Sequence, residues 1–214
     1  MSFKAALGFF ISLAITALLS AGSAFAEPIK LVGFGDSLMA GYQLPASDAF
    51  PVKLEAALKA KGYDVEIANA GVSGDTSSGG LARLDWSVPD GTKGVILELG
   101  ANDALRGIAP EETEKNLDAM LTRLKERGIA VLLAGMLAPP NMGADYEKRF
   151  NGIYQRMAEK HGVALYPFFL DGVAAQADLQ IDDGMHPNPA GVDVMVAKIL
   201  PTAEAFLKAV TAGE

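Results

Sequence analysis

A chain of 214 residues with no cysteine, 26 acidic and 18 basic side chains has a formal charge of −8. It can hold no disulfide framework, no thiol nucleophile and no thiolate metal site. The acidic balance argues against binding nucleic acid or an anionic lipid surface by electrostatics, and two histidines leave imidazole chemistry few places to sit.

The first segment in chain order reads as a leader. Lys4 is the only charged side chain before Glu27, Ala5 to Leu19 is apolar apart from Gly8, Ser12 and Thr16, and the stretch closes on Ala24-Phe25-Ala26. A short basic start, an apolar middle and an A-x-A end make a secretory signal peptide. Retained, Ala5–Ala26 would be long enough to span a bilayer; its small-residue end favours removal. The expectation is a signal peptide at 1–26 and a periplasmic or secreted domain at 27–214, with no stable membrane insertion after processing. Without Lys4 its charge is −9, and its 188 residues fit one monomeric domain burying roughly 70% of its unfolded surface.

Strands and helices then alternate. Candidate strands are Ile29–Phe34, Asp64–Ala68, Gly94–Leu99, Ile129–Ala134 and Val163–Tyr166. Leu117, Met120, Leu121 and Leu124 repeat at helical spacing, with Pro110 and three glutamates near the start and Arg127-Gly128 at the end. Phe150, Ile153, Tyr154 and Met157 keep the same period up to Gly162, and Val192, Met195, Val196 and Ile199 open a last helix that Pro201 should kink or divide. Such alternation predicts an α/β fold, a five-stranded parallel sheet between two helix layers in a three-layer α/β/α sandwich.

In open α/β sheets ligands bind beyond the carboxyl ends of the strands. There the sequence places Gly35-Asp36-Ser37-Leu38, then Ser73-Gly74-Asp75-Thr76-Ser77, then Gly100-Ala101-Asn102-Asp103, and last Asp183-Gly184-Met185-His186-Pro187. A serine becomes a nucleophile when a base takes its proton, and the base needs a third group to hold its tautomer. Ser37, His186 and a neighbouring carboxylate supply those parts. Asp182 and Asp183 both qualify as that carboxylate on position alone. His161, at a helix end before Gly162, reads as a favourable C-terminal charge instead.

Other chemistries fit less well. No serine carries both glycines of G-x-S-x-G. Gly74 to Gly80 has P-loop glycine spacing, but Gly80 stands where the lysine belongs. Asp182, Asp183 and His186 make a thin ligand supply, so no metal and no cofactor are expected.

The four blocks, in this order and spacing, resemble those of the SGNH, or GDSL, hydrolases, over nearly all of the mature chain. Glu98 to Gly107 is especially similar to the small multifunctional esterases of that family. The resemblance implies the flavodoxin-like SGNH fold and a carboxylic ester or thioester hydrolase of arylesterase, acyl-CoA thioesterase or lysophospholipase type, taking a small-molecule acyl substrate. It implies Ser37 as nucleophile, His186 as base and Asp183 as the orienting carboxylate. The backbone N–H groups of Ser37 and Gly74 and the Asn102 amide are implied as the oxyanion hole. Leu105, Ile108 and Pro139, on the loops that would border the site, are implied as acyl contacts. A non-catalytic acyl-ligand binding module on the same fold is the alternative.

Overall fold

The computed structural model describes residues 27–212, so the expected leader lies outside the described residues. Its elements are β1 (Ile29–Gly35), α1 (Ser37–Ala40), α2 (Phe50–Ala60), β2 (Val65–Gly71), α3 (Ser77–Ser87), β3 (Gly94–Glu98), α4 (Ala101–Leu105), α5 (Pro110–Glu126), β4 (Ala130–Ala134), α6 (Ala144–Asn151), α7 (Ile153–His161), β5 (Ala164–Tyr166) and α8 (Pro189–Ala212).

The five strands are all parallel, in the order β2-β1-β3-β4-β5. β1 and β3 are buried on both faces, and their near-continuous apolar runs reflect that cover. Edge strand β2 alternates, with Val65 and Ile67 buried and Glu66 and Ala68 exposed. α2 packs on α8 on one side of the sheet, while α5 packs against α3 and α7 on the other. The order in which strands are added reverses between β1 and β3, the switch point where doubly wound sheets open a crevice. The register Gly35↔Gly71 and Phe34↔Leu97 brings the ends of β1, β2 and β3 level there.

Two helices differ from the sequence expectation. The Phe150–Met157 period is shared by two helices that break at Gly152, which ends α6 and starts α7. α8 runs unbroken through Pro201. Proline at 201 deprives the Ala197 carbonyl of its helical donor, but Ala197 and Pro201 face solvent, where water can replace it. Ile199, Ala203, Phe206 and Leu207 stay buried on either side, so packing holds the helix across the gap.

Candidate active site

β1 ends at Gly35, and Asp36 caps the single turn α1, its Oδ1 accepting the N–H of Leu38 at 3.0 Å. Ser37 is therefore the first residue of a helical turn, where backbone N–H groups have no helical partner. Gly41 closes the turn at φ 79°, and its left-handed backbone lets the chain double back over Ser37: Tyr42 N–H donates to the Ser37 carbonyl at 3.1 Å. Gly71, at the end of β2, lies so close beneath α1 that a Cβ there would collide with the backbone of Met39 and Ala40.

His186 reaches Ser37 from a loop 149 residues away. Its Nε2 stands 2.8 Å from Ser37 Oγ, and its Nδ1 stands 2.6 Å from Asp183 Oδ2. The other Asp183 oxygen accepts the N–H groups of Met185 and His186, at 2.9 and 3.0 Å. Burial alone would raise the Asp183 pKa; the hydrogen bonds from His186 and Met185 outweigh it, and the carboxyl sits below its ordinary value. The loop is closed by Ile181 N–H on the His186 carbonyl and by Gly184 at φ 67°. Of the two candidate carboxylates, Asp183 is the one bonded to the His186 ring.

The remaining pieces arrive from neighbouring strands. Asn102, in the first turn of α4, donates from Nδ2 to Asp36 Oδ2 at 2.9 Å. Its buried neighbour Asp103 accepts Ser77 N–H at 2.8 Å, Ser77 Oγ at 2.5 Å and Thr113 Oγ1 at 3.0 Å, tying the Asn102 turn to the start of α3. Gly74 adopts φ 82° on the loop between β2 and α3, and Arg106 Nη2 donates to its carbonyl at 2.7 Å. Arg83 bonds the carbonyls of Gly35 and Ala70, both at 2.8 Å, and Asp75 at 2.6 Å, bracing the ends of β1 and β2. Four of the residues expected at the site thus form two bonded sets, Asp183–His186–Ser37 and Asn102 through Asp36, with Gly74 on the adjoining loop.

The matching sequence model is that of the GDSL-like Lipase/Acylhydrolase family, over residues 34–194. The chain belongs to this family. The acylhydrolase is 42% identical over 180 residues to an arylesterase of Vibrio mimicus, covering 84% of this chain and 89% of the relative. It is 37% identical over 189 residues to thioesterase 1/protease 1/lysophospholipase L1 of Escherichia coli, covering 86% and 88%. Among solved structures it is similar to AlinE4, an SGNH-hydrolase family esterase, at TM-score 0.73 and 44% identity, covering 87% of this chain and 98% of that one.

The expected acyl contacts are less tightly bound into the site of the acylhydrolase. Leu105 is exposed, Ile108 half-buried with its carbonyl accepting Tyr146 Oη at 2.7 Å, and Pro139 half-buried before the 3-10 turn Pro140–Met142. A depression lined by Gln43, Gln180, Ile181, Asp182, Asp183 and Asn188 lies beside the Asp183–His186 pair, and none of the three is in its wall. His161, read from sequence as a helix-end charge, does close α7, and it also places Nε2 2.6 Å from Asp118 of α5. Three neighbours of the site were given no role from the sequence: Tyr42, whose ring lies against His186, and the acids Asp36 and Glu98, although both acids lie in the matching blocks. The one available signal was Glu98 itself, a carboxyl ending an otherwise apolar buried strand.

Proposed function

We propose that this acylhydrolase cleaves carboxylic ester or thioester bonds through an acyl-enzyme on Ser37. His186 Nε2 takes the hydroxyl proton as Ser37 Oγ attacks the acyl carbon, and Asp183 stabilises the imidazolium that forms. The Ser37 and Gly74 N–H groups and the Asn102 amide receive the oxyanion. Collapse of the tetrahedral intermediate expels the alcohol or thiol, which takes the proton from His186. Water then attacks the acyl-enzyme with the same imidazole as base, releasing the acid and free Ser37.

The observation that carries this reading is the relay of 2.6 and 2.8 Å from Asp183 through His186 to Ser37, with the tautomer set by the carboxylate. The relatives named arylesterase and thioesterase support the bond types. An acyl group suits the surroundings: Tyr42, Val72, Leu105 and Met185 are large apolar side chains left exposed on the segments that hold the site. Leu105, Ile108 and Pro139 are the proposed acyl border, since Arg106 ties the Leu105–Ile108 segment to Gly74, and Gly107 within it lies beside Met142 of the turn that follows Pro139. The reading includes export, with residues 1–26 removed and the remainder acting as a monomer. No helix among the described residues is long and apolar enough to cross a membrane.

The test is turnover of a short-chain aryl ester by the wild type and by Ser37→Ala. Loss of about four orders of magnitude or more in kcat supports the serine mechanism. Equal rates overturn it, and binding of the ester without turnover by either protein would favour an acyl-binding module.

A further inference from the structure

Beside the nucleophile, two acids are buried together. Asp36 and Glu98 are both 0% exposed. Glu98 Oε2 accepts the backbone N–H of Asp36 at 3.2 Å, which sets the two acids side by side at the ends of β1 and β3. Gly35 permits this approach, since a Cβ there would stand 2.5 Å from Glu98 Oε2 and 2.6 Å from the Glu98 carbonyl oxygen. The other oxygen, Glu98 Oε1, is fully enclosed and accepts no hydrogen bond. Two carboxylates enclosed side by side repel and neither can donate to the other, so the enclosure requires that one be an acid.

The surrounding charges do not remove that requirement. From the loop before α8, His186 faces Asp36, with its Nδ1 committed to Asp183. From α7, Tyr154 gives its hydroxyl to the Leu99 carbonyl at 2.8 Å. Asp103 of α4 is bonded to Ser77 and Thr113. Arg83 of α3, the cation bonded to the Gly35 carbonyl, spends its guanidinium on Asp75, Ser87 and the backbone. Among the described residues no cation is paired with Asp36 or Glu98.

We propose that Asp36 and Glu98 together hold one proton at neutral pH, on Glu98, and that the charge left on Asp36 orients the Asn102 amide. An amide has two N–H groups and one oxygen. An ionised Asp36 accepts and cannot donate, so only the Asn102 nitrogen can face it; the second N–H is left for an oxyanion. A protonated Asp36 could donate to Asn102 Oδ1 and would tolerate the flipped amide, which offers the oxyanion no aligned donor. Two charges in this enclosure would carry the desolvation cost of an unpaired buried carboxylate. One proton is the count that serves the site. Burial, the larger cause, and then the Asp36 charge push the Glu98 carboxyl well above the usual range, while burial lifts Asp36 to about 6. Asp36 is thus a positioning residue that acts through Asn102, and Glu98 is the proton holder that keeps it singly charged.

The orientation half of this proposal rests on Asn102 being an oxyanion donor; the proton on Glu98 does not. Infrared spectroscopy of the folded protein at pH 8 tests the proton. A carboxylic-acid carbonyl band should persist where surface carboxyls are ionised, disappear in Glu98→Gln, and shift in Asp36→Asn, which removes its partner's charge. Absence of the band from the folded wild type overturns the proton, with or without a folded variant. A double-mutant cycle tests the orientation. Asp36→Asn should lower kcat by roughly tenfold or more with KM little changed, and should cost almost nothing further in an Asn102→Ala background. Full additivity of the two losses overturns it. Failure of the serine mechanism would appear separately, as retained activity in Ser37→Ala with the infrared band unchanged.

Discussion

The ring of Tyr42 lies 4.6 Å, centroid to centroid, from the ring of His186 and is inclined to it by 41°. The turn that begins with Ser37 therefore also ends in a wall against His186. Aromatic contacts of this kind contribute about 0.5–1.5 kcal/mol beyond simple burial. Truncation, Tyr42→Ala, should let the imidazole rotate away and lower kcat by roughly 2- to 10-fold. Tyr42→Phe, which keeps the ring, should stay near wild type. Steady-state kinetics on an aryl ester separates the two, and equal losses in both would assign the effect to the hydroxyl instead.

Asn102 should matter to the transition state and little to the ground state. Removal of one oxyanion donor costs about 100- to 1,000-fold in turnover. Asn102→Ala should show that loss in kcat with KM changed far less. A loss confined to KM would place Asn102 in substrate binding.

Gly71 supports the turn that carries Ser37. A methyl group there meets backbone atoms of α1, which can yield only if the turn shifts. Gly71→Ala should cost about 1–3 kcal/mol of stability through overpacking, and should lower kcat as Ser37 leaves His186. Thermal unfolding and kinetics on the same sample check both; a destabilised protein with full kcat would show that the site does not depend on this contact.

Acid groups at the site act on stability in opposite directions. Asp183 is held below its ordinary value, so its contribution is present above the unfolded pKa and is lost as pH falls through the folded one. Glu98 and Asp36 are raised, the latter to about 6; their contribution is full below the unfolded values near 4 and is lost as pH rises through the folded ones. Between pH 6 and 8 the wild type should lose stability relative to Glu98→Gln, by at most about 1.4 kcal/mol per pH unit for one proton. Activity runs the other way: kcat should fall below about pH 6 as Asp36 loses its charge, while circular dichroism shows the protein still folded. A flat stability difference across that window would mean that Glu98 is ionised in the folded state.

Strands were legible because they are apolar runs bounded by turns, and all five lie within a few residues of their sequence positions. Helices with a clear apolar stripe, such as α5, were equally plain. α3 was not, because its buried face is Ser77, Gly80, Arg83 and Leu84, where polar and small side chains do the packing. The Gly152 break was hidden for a related reason: Phe150 and Ile153 remain buried on either side of it, so the side-chain period passes through a backbone interruption.

By itself, the sequence determined the order of strands and helices, the edge of the sheet where chemistry gathers, and the residue types a serine hydrolase needs. Those depend on local periodicity and on short motifs whose residues are neighbours in the chain. The motif resemblance already named Asp183 over Asp182; only the tertiary structure decided that Tyr42 flanks His186 and that Asp36 meets both Glu98 and Asn102. These pairings link residues as much as 144 positions apart, and they follow from the parallel register that levels the ends of β1 and β3 and from the turns that aim side chains across the gap. Spacing along the chain carries no information about either.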